Sequence, residues 1–230
     1  MMKASLDTNV IIHLYRAGKQ QVLFNRFPDG VYMYEQIRRV ELEHHGQGIL
    51  ELVDEDVEIG KIQLITDDLL KSWGVLKLFK EHVNENKLLY TPQDLGEVYA
   101  ISLAQIMGAH SLVSDDTKQG GPYMSLLQFE DNEIMPFTFV DVLLMNYLVG
   151  DMEATAVLDN FNDINEISKL NWNLEVHLRR FIKRFFKDPY QEAERIWMRT
   201  LCNEHQINAQ LKFRLLVKEI REQSGNILVA

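Results

Sequence analysis

The stretch Lys3-Ala4-Ser5-Leu6-Asp7-Thr8-Asn9-Val10-Ile11-Ile12 decides how this chain folds. A short apolar run ends in Asp7, two polar residues follow, and an amphipathic segment begins at once. This spacing predicts a strand over residues 3–6 that carries a carboxylate to the C-terminal edge of a sheet. Thr8 and Asn9 then turn the chain into a helix over Thr8–Arg16. Ligand sites of open α/β sheets lie at that edge. A carboxylate set between Leu6 and Val10-Ile11-Ile12 is costly unless it is paired, hydrogen-bonded or metal-bound. Asp7 is therefore the first candidate functional residue.

Working outward, the same alternation of strand and helix continues. Lys19–Phe27 reads as a short helix, Pro28-Asp29-Gly30 as a turn, and Val31–Tyr34 as a second strand. Glu35–His45 reads as a helix, Lys61–Ile65 as a short strand, and Asp67–Val83 as a helix with Leu69, Leu70, Trp73, Leu76 and Phe79 in register. Thr91-Pro92-Gln93-Asp94 resembles a helix start; that helix is predicted to run to about Met107, closed by Gly108. Ser111-Leu112-Val113 is a strand ending at Ser114-Asp115-Asp116, and Met135–Phe137 is another, with Thr138 capping a helix to about Val149. Strands alternating with helices imply an α/β fold: a parallel sheet flanked by helices. After Gly150 the only strand signal is the tail Ile227–Val229, and Asp163–Lys187 and Tyr190–Gln223 read as helices broken at Asp188-Pro189. The expected organisation is an α/β domain over 1–150 and a helical C-terminal extension over 151–230.

Charge is distributed unevenly. Residues 1–150 carry 12 Lys and Arg against 22 Asp and Glu, whereas residues 151–230 carry 12 of each. The whole net charge of −10 lies in the first part. Such a domain is a poor unaided binder of nucleic acid, whose phosphates need a basic surface, and is better suited to cations. Cys202 is the single cysteine, which excludes an intramolecular disulfide. No apolar run approaches the roughly 20 residues of a membrane span, and the N-terminus lacks a signal-peptide pattern. The expectation is a cytoplasmic protein that does not enter the membrane.

Four acids stand where a parallel sheet could gather them. Asp7 and Asp115 follow strands, Glu97 lies in the first turn of the helix after Asp94, and Glu41 lies in the helix after the second strand. Hard divalent cations take oxygen ligands, and Mg²⁺ is held by few carboxylates plus water. Metal-assisted phosphodiester cleavage needs such carboxylates from separate elements.

At these residues the chain resembles the PIN domain family of metal-dependent ribonucleases. Leu6-Asp7-Thr8-Asn9 resembles the family's opening motif. Gly96-Glu97-Val98-Tyr99-Ala100-Ile101-Ser102-Leu103-Ala104 resembles its central helix, with a small residue seven positions after the acid. Gly108–Asp116 resembles the following strand with its terminal acid preceded by Ser or Thr, and Met135–Leu148 the last strand and helix. The resemblance spans about residues 3–150 and leaves 46–90 uncovered. It implies a PIN-like sheet and an Mg²⁺- or Mn²⁺-dependent hydrolase acting on RNA. Asp7, Glu97 and Asp115 would coordinate the metal, with Asp116 competing with or joining Asp115. Thr8, Asn9 and Ser114 would orient the site. Glu41 would be the fourth catalytic acid, with Glu35 and Glu43 as competitors. The family's central Asp is here Glu97. Many members are toxins restrained by a small antitoxin protein, so an antitoxin-like partner is implied, although the long extension departs from the compact toxin pattern.

Arg179–Lys187 interleaves basic and aromatic residues, so Arg180, Lys183 and Arg184 are candidate RNA contacts, as are Arg38 and Arg39 beside Glu41. On a helix Phe181, Ile182 and Phe185 would also form a core stripe. The extension could replace a partner, bind substrate or form a homodimer interface. His44-His45 has no third ligand at zinc spacing, and Gly120-Gly121 is a turn without the Lys-Ser/Thr of a phosphate loop. The rival to an enzyme is an inactive scaffold of the same fold that binds RNA or protein. A haloacid dehalogenase-like phosphoryl transferase needs a second Asp two positions after the first, where this chain has Asn9.

Overall fold

The computed structural model describes residues 2–45, 48–88, 95–119, 121–128 and 133–227. The expected helix start at Thr91–Asp94 and Gly120 lie outside them, as does the tail beyond Ile227, which itself ends a helix. The chain divides into two compact units, residues 1–139 and 140–230. The helix expected to close the first domain groups instead with the second unit.

In the first unit, β1 (Lys3–Leu6) leads into α1 (Thr8–Arg16) and α2 (Gln21–Arg26), then β2 (Gly30–Tyr34). A π-helical turn, Ile37–Leu42, runs into the short α3 (Glu43–His45) and is followed by α4 (Leu50–Glu58). Next come β3 (Gln63–Ile65), α5 (Asp67–Ser72), α6 (Leu76–Asn86), α7 (Leu95–Met107), β4 (Ser111–Val113), α8 (Pro122–Gln128) and β5 (Met135–Phe137). The strands form one sheet in the order β3-β2-β1-β4-β5, every neighbouring pair parallel. The fold is therefore α/β, with helices flanking a five-stranded parallel sheet.

The strand order fixes where a site can lie. From β1 the chain proceeds outward through β2 and β3, then returns to place β4 on the other side of β1. The two directions meet between β1 and β4, the topological switch point at which α/β sheets bind ligands. Leu6 pairs with Val113 there, so Asp7 and Ser114 emerge side by side.

Burial explains why this edge is rigid. Ala4 and Leu6 of β1 and Leu112 and Val113 of β4 are fully buried. Helix α7 packs across β1, β2 and β4, and its apolar residues Val98, Ile101 and Leu103 are withdrawn from water. Each such side chain contributes about 1.5–3 kcal/mol. Gly108 closes α7 with a positive φ of 56°.

Three expected helices are broken; Tyr190–Gln223 is divided into Glu192–Glu204 and Ala209–Ile227, with Gln206 at φ 53° between them. Asp67–Val83 is split into α5 and α6 at Trp73-Gly74-Val75, where Gly74 has φ 75°. Trp73, expected in register with the apolar face of that helix, is 48% exposed. The expected Asp163–Lys187 helix is likewise interrupted, because Lys169 and Asn171 take left-handed φ values of 53° and 55°.

The second unit is helical: α9 (Phe139–Val149), α10 (Ala154–Ile167), α11 (Leu174–Ile182), a second π-helical turn (Lys183–Lys187), α12 (Glu192–Glu204) and α13 (Ala209–Ile227). Its core includes Phe161, Phe181, Phe185 and Leu216, and the Phe181 and Phe185 rings lie 4.8 Å apart. The expected aromatic stripe of this stretch is thus a packing stripe. Among the described residues, no helix is long and apolar enough to cross a membrane.

Candidate active site

The site grows from Asp7. This residue caps α1 in an extended conformation, φ −85° and ψ 156°, and its Oδ1 accepts the Thr8 N–H at 2.8 Å. Its own N–H donates to the Val113 carbonyl at 3.0 Å, extending the β1–β4 ladder by one step. Its Oδ2 accepts the Ser114 hydroxyl at 2.9 Å. Only 2% of Asp7 is exposed.

Asp7 is a carboxyl under strong opposing influences. Burial drives its pKa from the ordinary 3.8 up to about 7; the Ser114 hydrogen bond opposes this, and the negative charges of Glu41 and Asp116 add to it. Near neutral pH Asp7 therefore readily carries a proton, chiefly because burial disfavours its charged form and secondarily because Glu41 and Asp116 repel it.

Glu41 reaches the site from the π-helical turn. In this turn the Glu43 N–H bonds to the Arg38 carbonyl, five residues back. Such turns are uncommon and occur frequently at functional sites. Glu41 Oε2 accepts the Thr8 hydroxyl. Its carboxylate presses on the start of α7 so closely that a Cβ at Gly96 would overlap it. Gly96 is thus needed for the close approach, and the next residue, Glu97, is buried in the same first turn.

The two neighbouring aspartates after β4 face different partners. Ser114 Oγ, which donates to Asp7, accepts the Asp116 N–H at 3.2 Å and so links the two acids. Asp116 pairs with Lys118 Nζ at 2.7 Å, and Gly121 lies close enough that a Cβ there would stand 2.9 Å from Asp116 Oδ1. Asp115 turns away from this cluster. Its Oδ1 accepts the Phe139 N–H at 2.9 Å, and its Oδ2 meets His13 Nδ1 at 2.8 Å. Both oxygens of Asp115 are occupied in holding backbone and imidazole. The electrostatic neighbour of Asp7 is Asp116.

The other candidates separate cleanly. Of the three competing glutamates, Glu41 is the one beside Asp7. Glu35 is buried, accepts the Asp67 N–H at 2.7 Å and pairs with Arg39 at 2.9 Å. Glu43 is exposed and meets Arg38 at 3.3 Å. Asn9 is exposed on α1, and no contact of its side chain among the described residues accounts for an orienting role. Arg38 donates to Asp54 from Nε at 2.7 Å and from Nη2 at 2.6 Å, so it fastens α4 rather than offering a free cation to phosphate. Arg184 is corrected outright. It is 4% exposed and paired with buried Glu194, Nε to Oε1 at 2.9 Å, and no RNA phosphate could reach it. Arg180 is exposed, and Lys183 is exposed with Asp188 at 3.3 Å.

His13 and Gly96 were missed by the sequence reading. His13 and Asp115 are 102 residues apart, and no local pattern links them. Gly96 did carry a signal, a glycine directly before a helix-starting acid.

The donor chemistry suits a hard cation, since Asp7, Glu41, Asp116 and Glu97 offer only oxygen. Among the described residues, however, no group of three or more His, Cys, Asp or Glu side chains is disposed to hold a metal ion. The expected convergence of Asp7, Glu97, Asp115 and Asp116 on one ion is not present in this arrangement. The carboxylates are turned into hydrogen bonds with Thr8, Ser114, Lys118 and His13. No family model, curated protein or solved structure matches the chain.

Proposed function

We propose that the protein is a metal-dependent ribonuclease of the PIN kind, in which Asp7, Glu41 and Asp116, with Glu97 beside them, would leave their present hydrogen bonds to hold the cation. The observation that carries this reading is the buried Asp7 at the β1–β4 switch point, raised to about 7 by burial and by Glu41 and Asp116. A proton relieves that repulsion in the structure as it stands, and a hard divalent cation would relieve it better. The strand order and the acid-bearing first turn of α7 support the same reading. In this reading Asp115 is a positioning residue for His13, and Asp116, whose charge acts on Asp7, takes the ligand role.

When bound, Mg²⁺ or Mn²⁺ would supply an activated water and offset charge on the phosphate. The chain's own contribution is preorganisation. Thr8 and Ser114 fix the Asp7 carboxylate from both sides, and Ser114 also sets the Asp116 backbone. Asp7 would have to release its proton to hold a cation, so affinity would rise with pH through about 7. Asp115 holds the imidazole of His13 by Nδ1, the arrangement that fixes ring orientation and leaves Nε2 to act.

The test is cleavage of single-stranded and structured RNAs with Mn²⁺, comparing wild type, Asp7→Asn and an EDTA control. The expected result is cleavage lowered by about 10²–10³-fold in the variant, on the scale of removing one preorganised group. Cleavage that survives Asp7→Asn contradicts the assignment. A second reading, an inactive scaffold, is favoured by one observation: each carboxylate already satisfies an internal partner.

A further inference from the structure

We propose that the protein self-associates, the acidic outer face of α4 in one copy docking on a basic furrow along α13 of another. This inference does not depend on the nuclease reading.

The furrow holds about 690 Å³. Its floor is apolar, formed by Ile182, Phe213 and Val217, and it runs along the stripe of α13 from Gln210 to Arg221. Eleven steps of helical rise make it roughly 17 Å long. Lys187, Arg214, Lys218 and Arg221 stand around it. Lys218 lies 3.6 Å from Glu222. The other three are exposed and have no carboxylate partner among the described residues. Leu211 and Leu215, 53% and 50% exposed, continue the apolar surface beyond the rim. Phe213 is itself 7% exposed, so the floor offers no open aromatic face for a base to stack on, which disfavours a nucleic acid. An apolar floor within a basic rim suits an amphipathic helix with acidic flanks.

The chain carries such a helix. In α4, Val53 and Asp56 face inward, while Glu51, Leu52, Glu55 and Glu58, and the C-capping Ile59, are exposed. Leu52 and Ile59, 39% and 67% exposed, lie seven residues apart on one edge of that face, with the three glutamates beside them. None of these glutamates has an ion-pair partner among the described residues. Each feature is unusual alone: an acidic helix exposing apolar residues, and an apolar furrow lined by three cations without a carboxylate partner among the described residues and by the Lys218–Glu222 pair. Together they are complementary in both charge and hydrophobicity. The −10 net charge of each copy opposes association at long range, but this repulsion is screened beyond about 8 Å at physiological salt, whereas contact pairs persist.

Sedimentation velocity of the full chain over a concentration series tests the proposal. Wild type is expected to self-associate. Arg214→Glu with Arg221→Glu, and separately Glu51→Lys with Glu55→Lys, should each weaken association at least about tenfold. Mixing the two variants should restore it, because every furrow then faces a helix of opposite sign. Far-UV circular dichroism checks folding; Arg214→Gln with Arg221→Gln replaces the first variant if reversal unfolds the chain. A wild type that stays monomeric, or reversed variants that associate as wild type does, overturns the proposal. So does a monomer that binds labelled oligouridine through Arg214 and Arg221, since the furrow would then be a nucleic-acid track.

Discussion

Asp7 retains its proton to an unusually high pH, and this has a thermodynamic signature. Its pKa is about 7 folded and 3.8 in its ordinary, unfolded environment. Between those values the native state binds the extra proton, so its contribution to stability falls as pH rises from about 4 to 7. The loss amounts to roughly 4 kcal/mol. Urea unfolding across this range should show wild type losing stability relative to Asp7→Asn, with saturating Mn²⁺ at pH 7.5 closing the gap; parallel curves would contradict the account. Ser114 acts in the opposite direction, because its hydroxyl favours the charged form of Asp7. Removing it in Ser114→Ala should move the pH midpoint of Mn²⁺ binding upward. Arg184 belongs to another category. Deleting one member of a buried ion pair typically costs about 3–5 kcal/mol, so Arg184→Ala should lower the unfolding free energy from urea titration by about that much while leaving RNA cleavage per folded molecule unchanged. Asp7 was legible in the sequence because an acid between Leu6 and Val10 is anomalous on its own. The different partners of Asp115 and Asp116 were not, since they depend on which way neighbouring side chains point. Arg184 misled because a basic residue among aromatics has the same spacing whether it faces RNA or Glu194.

Elements were legible where one period ran unbroken. The β1–α1 junction at Asp7 and the strands at 111–113 and 135–137 stand as their local patterns indicated. Breaks governed by backbone conformation were hidden, because Lys169 and Asn171 are ordinary helix-compatible side chains that here take positive φ. The π-helical turn was also hidden, as its register has no sequence signature, yet it decides that Glu41 rather than Glu35 or Glu43 stands beside Asp7. The contact of this turn with α7 passes through Gly96. Gly96→Ala inserts a methyl group into the Glu41 carboxylate. It should lower cleavage by at least about tenfold, as a displacement of about 1 Å in a catalytic group can cost 10²-fold. The comparison is kcat for the variant against wild type, with thermal unfolding run alongside to separate misplacement from collapse.

At the scale of the whole molecule, the sheet order and the charge distribution work together. The switch point sets acids from β1, β4, the π-helical turn and α7 at one edge, and the first 150 residues carry the entire negative excess. An RNA approaching such a surface gains little from counterion release. Filter binding between 50 and 200 mM NaCl should therefore give a log–log slope shallower than about −3, few phosphate contacts by the usual proportionality. A steep slope would point to a basic surface that the account does not use. The most direct test of the central claim is calorimetric titration of the full chain with Mn²⁺ at pH 6, 7 and 8, beside Asp7→Asn. The account predicts binding that strengthens with pH, releases protons and disappears in the variant. No binding by wild type, or equal binding by Asp7→Asn, would contradict it.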